Sequence, residues 1–496
     1  MKRARAFRTD ALESGSLVLA CGMKIILTVH QFLPDFFAGT EIITLNIARE
    51  LMRRGHEVTV VTGFPTSNSL SDDERFDRYV YEGIAVERFL HSHTPMGGNS
   101  NVVELSYNNP LFGRFFRNLL REKKPDVVHF VHLSRLSASA VEACVSEKVP
   151  MIYTATDFWM ICPLHQLRLP DNSMCSGPDA LSVNCVRHYM DFVGQVQSSY
   201  RLAEGEADAN HPAAGRLQPQ LLMRASKAPN WLLALLVRLA NRNLIPVKSV
   251  RNRIKALSGR PRFMRRQMNK INVVLAPSQI VQTMLVRNGV AAKRVRLLPY
   301  GINMGPIRRR SDKGDQPKLR VGFIGSLYEH KGCHLLVEAI QSLGNEVDIE
   351  LKIYGRAEIG WGSALYFDPL KKLIGDDARI ELCGSFSNDN VGEILATIDI
   401  LVVPSIWYEN TPVVIYEALA AGCPIIATDL AGMAEIVHHE VNGLLFPVGD
   451  VPALKKCIER VAKDRTLLKR LASHTQMPLS IAEHVSKVEE IYAELT

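Results

Sequence analysis

The sequence predicts an α/β protein built from two Rossmann-like domains, each with a doubly wound parallel sheet. Short apolar runs typical of buried strands alternate with longer amphipathic stretches in both halves of the chain, and this alternation favours parallel sheets covered by helices. A polar, charged stretch at 307–317 separates the two series. The 496 residues, 47% of them hydrophobic, are enough for two ordinary cores.

The first series opens with a predicted strand at 24–30, an amphipathic helix that ends at Arg54 and a strand at 57–62. Gly39 lies near the start of that helix, as in a βαβ unit whose backbone approaches a ligand. Further strands are predicted at 126–130, 151–156, 273–276 and 295–298, with a helix at about 137–148. These elements define a first domain over 23–300. Residues 1–22 are predicted to be a disordered leader or a misassigned start.

The second series is more regular. Its predicted strands are 320–325, 349–354, 379–382, 398–403, 423–428 and 443–446. Helical stretches alternate with them, which predicts a doubly wound parallel sheet. We place a linker at 301–318, the second domain at 319–475 and a terminal helix within 476–496.

The composition limits the cellular environments and binding partners that this chain is expected to have. No run of about 18 apolar residues occurs, so no transmembrane helix is expected. Nine cysteines, an odd number, do not indicate a disulfide scaffold and favour a reducing cytosol. The net charge of +8 is a local feature: no Asp or Glu occurs between 209 and 310, a stretch that holds 21 of the 59 Lys and Arg residues. The rest of the chain has 38 basic and 51 acidic residues and is therefore acidic.

The basic segment 209–270 is predicted to contain an interfacial helix. Residues 231–237 are all apolar, and an arginine-rich stretch follows them, a combination typical of helices that lie on anionic membranes. A lipid-diphosphate acceptor is a second candidate partner. The alternative is a helix packed on the domain with a solvated basic face. Nucleic acid is least favoured, because no known nucleic-acid-binding module is visible.

Glu409 and Glu417 lie eight positions apart around a predicted helix start. The apolar run 398–403 predicts a buried strand, after which Thr411 and Pro412 are typical of an N-cap and a first helical residue. The free N–H groups of such a helix start attract anions. Two carboxylates beside an anion site suit a sugar joined to a diphosphate.

The run 408–422 resembles the E-x7-E motif of retaining GT-B glycosyltransferases of family 4. Segments similar to those that follow in that family are 422–428, 432–435 and 442–446. The resemblance is strong over 320–450 and good over 23–60. It implies two domains that face a cleft, with the first binding the acceptor, the second binding a nucleotide sugar and the terminal helix crossing back to the first.

The resemblance also implies roles for the residues around this motif. Glu409 is expected to hold hydroxyls of the donor sugar and Glu417 those of the ribose, while Asn410 and Thr411 hold phosphate. Lys331 is expected to neutralise the diphosphate as it leaves. Because Lys331 can take the role of a cation and no Asp-x-Asp occurs, no essential catalytic metal is expected.

Two departures from the family pattern concern the same cleft. Ser326 stands where the family usually has an arginine that pairs with the lysine, and Arg356, which follows Gly355, is the candidate replacement. Gly39 is expected to let the backbone approach the diphosphate from the first domain. In the first domain, a family histidine is replaced by Thr156.

The next residue, Asp157, remains a candidate catalytic residue at a strand end. His129 and His132, at the end of the preceding strand, are either cleft residues or packed histidines. The sequence leaves the group that activates the acceptor open.

Three cysteines and a histidine in the loop 160–190 suggest a structural zinc site. Cys185 and His188 have the spacing of a chelating pair, and Cys162 and Cys175 complete a possible tetrahedral set. The alternative is unbridged thiols and a surface histidine.

The sequence therefore predicts a retaining glycosyltransferase that uses a nucleotide-diphosphate sugar. Its expected acceptor is a glycan or lipid-linked saccharide of a bacterial surface polysaccharide, and its expected location is cytoplasmic, peripheral on the inner face of the plasma membrane. Alternatives are a GT-B sugar-nucleotide epimerase or hydrolase, and a non-catalytic sugar-nucleotide-binding protein. A phosphorylase-like enzyme would need a cofactor lysine that the sequence does not identify.

Overall fold

Two parallel-dominated sheets form the framework of the protein. The computed structural model describes residues 22–66, 68–92, 94–169, 173–204, 219–309, 317–344, 347–355 and 363–496. Eight strands form the first sheet and six the second. The predicted leader (all but residue 22), Arg356 and residues 310–316 of the predicted linker lie outside the described residues.

The first sheet has the order β3-β4-β2-β1-β5-β6-β7-β8 and is parallel except for β3. Its strands are β1 (Lys24–Val29), β2 (Glu57–Pro65), β3 (Phe76–Tyr81), β4 (Ile84–His91), β5 (Val127–Phe130), β6 (Met151–Thr154), β7 (Val273–Ala276) and β8 (Val295–Leu297). The central strands β5, β6 and β7 are wholly buried runs of four residues. This is the pattern expected for parallel strands covered on both faces.

The hairpin β3–β4 was not predicted from the sequence. Glu82 and Gly83 connect its strands, both with positive φ (51° and 81°), as in a tight hairpin turn of the type that Asn-Gly favours. A glutamate at the first of these positions hides the turn signal. β3 is an edge strand and half exposed, so it also lacks the apolar run of a buried strand.

Helices cover both faces of the first sheet. They are α1 (Gly39–Arg53), α2 (Val102–Leu105), α3 (Pro110–Lys123), α4 (Ser139–Glu147), α5 (Val183–Glu204), α6 (Pro219–Ser226), α7 (Asn230–Asn241), α8 (Lys248–Met268) and α9 (Gln279–Arg287). Asn109 caps α3 by accepting hydrogen bonds from the N–H groups of Leu111 and Phe112. The helices α5–α8 are inserted between β6 and β7. The described part of the predicted basic segment is therefore three helices, α6–α8, rather than one amphipathic stretch.

The second sheet has the order β11-β10-β9-β12-β13-β14 and is parallel throughout. Its strands are β9 (Leu319–Ile324), β10 (Ile349–Tyr354), β11 (Ile380–Gly384), β12 (Ile400–Val403), β13 (Ile425–Thr428) and β14 (Gly443–Phe446). The chain winds outward in both directions from β9 and β12, so a topological switch point lies between them. Ligands bind at such a point in doubly wound sheets.

The described part of the second domain has seven further helices, and an eighth returns to the first domain. They are α10 (Cys333–Gln341), α11 (Ser363–Ile374), α12 (Val391–Thr397), α13 (Val413–Ala420), α14 (Ala431–Ala434), α15 (Val451–Lys463), α16 (Arg465–Ser473) and α17 (Ile481–Leu495).

A capping box between Ser480 and Glu483 begins α17. Glu489 of this helix accepts from Arg54 at 2.5 Å and lies 2.8 Å from His56. Tyr492 of α17 bonds His129 at 2.8 Å. These contacts fasten the C-terminal helix to the first domain.

No helix in the described ranges is long and apolar enough to cross a membrane.

Candidate functional site

A cavity of about 430 Å³ lies where the two sheets present the carboxyl ends of their strands to each other. Segments that follow β1, β5 and β6 line it from the first domain, and segments that follow β9, β10 and β12 line it from the second. The predicted residues that line it are Gly39, Asp157, Ser326, Lys331, Gly355, Glu409, Asn410, Thr411 and Glu417. The structure thus brings together residues that are up to 378 positions apart, counting from Gly39 to Glu417.

Lys331 and Glu409 form an ion pair inside this cavity. The Lys331 Nζ lies 2.6 Å from Glu409 Oε1. The same oxygen accepts from Trp407 Nε1 at 2.7 Å and from Ser405 Oγ at 3.0 Å. Lys331 also lies 5.4 Å from the centre of the Trp407 ring. With three donors on Oε1, the second carboxylate oxygen is the better placed to accept from a ligand hydroxyl.

Close backbone packing fixes the loop that carries Glu409. A Cβ on Gly432, in α14, would stand 1.4 Å from the carbonyl oxygen of Asn410, so this position requires glycine. Gly332 has φ +71°, and a Cβ there would stand 2.0 Å from the carbonyl oxygen of Pro404. The Asn410 amide donates to the carbonyl oxygen of Ala155 at 2.8 Å, across the cleft.

The helix after this loop begins one residue later than predicted. α13 runs from Val413, its N-cap is Pro412, and no side chain caps it. The Thr411 hydroxyl instead donates to the carbonyl oxygen of Asn410 at 2.6 Å. Predicting Thr411 as the N-cap was therefore wrong, because its hydroxyl is satisfied locally. The helix start nevertheless lines the cavity.

Glu417 lies one turn into α13 and is buried, with 6% of its surface exposed. Burial raises the pKa of its carboxyl to about 7. No described basic side chain lies within ion-pair distance of it. It therefore has hydrogen-bonding capacity that a ligand in the cavity can use.

The structure gives different results for the remaining predicted donor-site residues, Gly355, Gly39 and Arg356. A Cβ on Gly355 would stand 2.0 Å from the carbonyl oxygen of Gly325, so glycine allows β9 and β10 to end side by side. A Cβ on Gly39 would meet Val413 at an ordinary 3.7 Å. The proposed arginine replacement, Arg356, lies outside the described residues.

A cluster of imidazoles and carboxylates forms the first-domain wall of the cleft. Asp157 Oδ2 accepts from His132 Nε2 at 2.8 Å and from His165 Nδ1 at 2.9 Å. Ser134 donates its N–H to His132 Nδ1, which leaves the proton of neutral His132 on Nε2. Burial favours protonated Asp157, but the charges and hydrogen bonds of the two histidines hold its pKa well below the usual value.

His165, His30 and Glu41 also line or border this wall, although no role was predicted for them from the sequence. His30 Nε2 lies 3.3 Å from Glu41 Oε1, and the His30 ring centre lies 4.4 Å from that of His132. Burial, with the neighbouring charges, lowers the pKa of His30 well below its usual value. No local signal marks these residues, since their proximity comes from the sheet topology. His129, in contrast, is packed between Tyr492 and Thr154.

The four predicted zinc ligands meet at a second, much smaller cavity of about 10 Å³. It is lined by Cys162, Cys175, Cys185 and His188 among others. As placed, no three of their ligand atoms lie within 4.8 Å of one another, whereas those of His132, Asp157 and His165 do. The three cysteines form no disulfide.

Comparison with known proteins identifies the family. A model described as Glycosyltransferase Family 4 matches residues 37–173, and one described as Glycosyl transferases group 1 matches 318–464. Together they cover more than half of the chain. The chain belongs to the family 4 glycosyltransferases. The two Rossmann-like domains that face one cleft are the GT-B fold, as the sequence predicted.

Several relatives of this family 4 glycosyltransferase act in polysaccharide biosynthesis, according to their names. The amylovoran biosynthesis glycosyltransferase AmsK of Erwinia amylovora is 26% identical over 201 residues, 39% of this chain and 48% of AmsK. The lipopolysaccharide core biosynthesis glycosyltransferase LpsE of Rhizobium meliloti is 30% identical over 152 residues, 30% of this chain and 41% of LpsE. The matched regions thus span less than half of these relatives.

A solved structure confirms the GT-B fold over nearly the whole family 4 chain. The Anabaena protein HepE, crystallised with UDP-glucose, matches 95% of this chain and 100% of its own, with a TM-score of 0.59 and 16% identity. At this identity the likeness concerns the fold alone.

Proposed function

We propose that this protein is a retaining glycosyltransferase that moves a sugar from a nucleotide-diphosphate donor to a glycan or lipid-linked saccharide. The contact between Lys331 and Glu409 carries the proposal. It places a cation and an anchored carboxylate beside the start of α13, inside a cavity formed by both domains. This combination suits a ligand with a diphosphate next to a sugar.

Each part of the proposed donor site has a distinct task. Lys331, Asn410 and Thr411 would hold the diphosphate and stabilise its charge as the bond to the sugar breaks. Glu409 would accept from sugar hydroxyls and Glu417 from ribose hydroxyls. The Glu417 carboxylate is buried, so each hydrogen bond that it accepts from a ribose hydroxyl offsets part of the cost of its desolvation. Activity then depends on positioning and charge stabilisation.

Asp157 would position the acceptor rather than remove its proton. Its pKa is held well below the usual value, so it stays ionised and is a weak base near neutral pH. It can orient acceptor hydroxyls from the first-domain side, where it lines the cavity with His132. The leaving diphosphate is then a better proton acceptor than this carboxylate.

The donor site is tested by calorimetric titration with UDP, GDP, ADP and dTDP. UDP is the first choice, because HepE was crystallised with UDP-glucose. We expect one nucleotide to bind and Lys331→Ala to weaken its binding at least tenfold. Lys352→Ala is the matched control, because Lys352 pairs only loosely with Glu381, at 3.8 Å on the surface. Failure of all four nucleotides to bind would contradict the proposal.

Product analysis separates the alternative functions. An epimerase or hydrolase would consume the nucleotide sugar without an added acceptor, and a non-catalytic binder would leave it intact. The proposed transferase forms a product only when the acceptor is added, and the glycosidic bond in that product keeps the anomeric configuration of the donor sugar. The names of AmsK and LpsE favour saccharides of bacterial surface polysaccharides as the first acceptors to test.

We further propose that α7 and the loop after it lie on an anionic membrane, where a lipid-linked acceptor would be found. α7 packs into the first domain through Leu233, Val237 and Ala240. Its outer face carries Trp231, 69% exposed, and Leu235, 44% exposed. This face is proposed to insert at the boundary between headgroups and acyl chains.

Basic residues flank this apolar face. The exposed ones nearby are Arg238, Arg242, Lys248 and Arg253. No acidic residue occurs between 209 and 310 to offset them, so anionic headgroups are the complementary partner. The proposed location is therefore cytoplasmic and peripheral on the inner face of the plasma membrane.

Sedimentation with lipid vesicles tests membrane binding. Binding is expected to vesicles that contain phosphatidylglycerol, and to be weaker with phosphatidylcholine alone or at high salt. The double variant Trp231→Ala with Leu235→Ala should lose most binding. Val80→Ala is the control, because Val80 is an equally exposed apolar residue (71%) on the edge strand β3. Equal binding of both variants would refute the proposed surface.

A further inference from the structure

The loop between β6 and α5, together with the start of α5, places three thiols and an imidazole around one small enclosed cavity. Cys162 follows β6, Cys175 lies near the end of the loop, and Cys185 and His188 lie three residues apart in the first turns of α5. Side chains at that spacing share one helix face. The cavity that all four line has a volume of about 10 Å³, which is close to the space of a single water molecule or ion.

A buried arginine stands beside these thiols. Arg260 in α8 is 2% exposed, and its guanidinium donates to the carbonyl oxygens of Trp159 and Ile161. It also lies 5.4 Å from the Trp159 ring centre. Among the described residues, no carboxylate lies within ion-pair distance of Arg260. A buried guanidinium is stabilised by an opposite charge nearby.

The thiols can supply that opposite charge only as thiolates. Arg260 lies close enough to Cys162, Cys185 and Asp157 to interact with all three electrostatically. Groups that favour a thiolate are already present, since the Asn184 amide donates to Cys175 Sγ at 3.7 Å.

We propose that Cys162, Cys175, Cys185 and His188 bind one zinc ion. Binding replaces three thiol protons: Zn²⁺ and three thiols give a tris-thiolate complex of charge −1 and release three protons, while neutral His188 supplies the fourth ligand. Arg260 then neutralises the complex. The side chains close from their present separation to zinc–sulfur distances of about 2.3 Å.

The ion would fasten the loop that reaches the cleft. His165, which hydrogen-bonds Asp157, lies between Cys162 and Cys175 in the chain. The residues His165 and Leu167 have positive φ (68° and 48°), a conformation that non-glycine residues adopt at a cost. A cross-link through metal stabilises such a loop. The zinc site is therefore structural, and it does not depend on the identity of the sugar donor.

Metal analysis of the full chain, purified without a histidine tag from cells grown with zinc, tests this inference. About one zinc per chain is expected in the wild type, and Cys185→Ser should lose most of it. Cys457→Ser is the control, because Cys457 lies in α15 of the second domain, and it should keep the zinc. A wild type without zinc, or a Cys185→Ser variant with full zinc, would overturn the inference.

Cobalt titration of the metal-depleted wild type provides a test that needs no variant. Thiolate ligation predicts an intense sulfur-to-cobalt charge-transfer absorption that saturates at one ion per chain, together with three protons released in weakly buffered solution. If Cys185→Ser does not fold, this titration of the wild type decides whether the thiols bind the metal. Cobalt binding without the charge-transfer band, or no binding, would show that the thiols are not ligands.

Discussion

The two glutamates of the E-x7-E motif differ sharply in their surroundings. Glu409 is held by Lys331, Trp407 and Ser405, all on one of its oxygens. Glu417 is buried without a described cationic partner, and burial raises its pKa to about 7. The first carboxylate is pre-positioned, while the second is kept in an unfavourable environment that a ligand can improve. Such local cost is typical of binding sites.

Removal of the ionisable group at 417 should stabilise the protein at alkaline pH. The folded pKa of about 7 lies above the ordinary 4.5, so stability is unaffected below pH 4.5 and falls as the pH rises towards 7. The loss approaches about 3 kcal/mol. Glu417→Gln should therefore raise the unfolding free energy by up to about this amount at pH 8 and by little at pH 5.

Denaturant unfolding at the two pH values measures this effect. Glu381→Gln is the control, because its exposed side chain (66%) carries no such cost. The same variant, Glu417→Gln, should bind the nucleotide more weakly, since its amide cannot accept from two ribose hydroxyls as well as a carboxylate does. An equal gain in stability at pH 5 and pH 8 would show that burial of charge is not the cause.

At the scale of elements, the site depends on how closely loops approach helices. The loop between β12 and α13 is held by α14, where Gly432 leaves room for the carbonyl oxygens of Glu409 and Asn410. The Gly432 N–H also donates to the Glu409 carbonyl oxygen at 3.3 Å. The geometry of the donor site is thus set by a residue that does not line the cavity.

Gly432→Ala should displace this loop and impair catalysis without unfolding the domain. The new Cβ would overlap the Asn410 oxygen, so the backbone must move by more than about 1 Å, which costs up to about 100-fold in kcat. Steady-state kinetics with the nucleotide sugar measure the loss. Gly259→Ala is the control, because a Cβ built there would meet no atom within 4 Å apart from the adjacent backbone of its own helix. Unchanged kinetics of Gly432→Ala would mean that the loop adapts freely.

At the scale of the whole molecule, specific polar contacts join the two domains. Glu435 follows α14 of the second domain and accepts from the N–H groups of Gln279 and Ile280, both at 2.7 Å. These groups open α9 of the first domain, so the carboxylate also meets the positive end of a helix. Asn410 adds its bond to Ala155, and α17 ties the domains together on another side.

Glu435→Ala should favour a more open cleft. Loss of two charge-assisted hydrogen bonds at a partly exposed site would cost the closed arrangement roughly 2 kcal/mol. Small-angle X-ray scattering should then give a larger radius of gyration, which a tight-binding nucleotide should partly reverse. Glu440→Ala is the control, because Glu440 pairs with Arg460 within the second domain. An unchanged radius would show that other contacts hold the domains.

The sequence by itself determined the fold class and most of the strands. The strands at 349–354, 443–446 and 273–276 were predicted with the bounds that β10, β14 and β7 have. Buried parallel strands are apolar runs, and that signal is local. The hairpin β3–β4 was missed because a Glu-Gly turn and a half-exposed edge strand carry no such signal. The start of α13 was misplaced because the Thr411 hydroxyl bonds its own loop.

Only the tertiary structure decided which side chains meet. His132, Asp157 and His165 converge because β5 and β6 end side by side and the following loop folds back over them. Arg260 comes from about 100 residues away to stand beside the thiols. Periodicity and turn chemistry specify helices, strands and turns over a few residues. Contacts between side chains far apart in sequence depend instead on sheet register and domain docking. The sequence could name Asp157, Glu409 and Glu417 and offer His132 as a cleft candidate, but it could not identify His30 and His165 or the charge behind the cysteines.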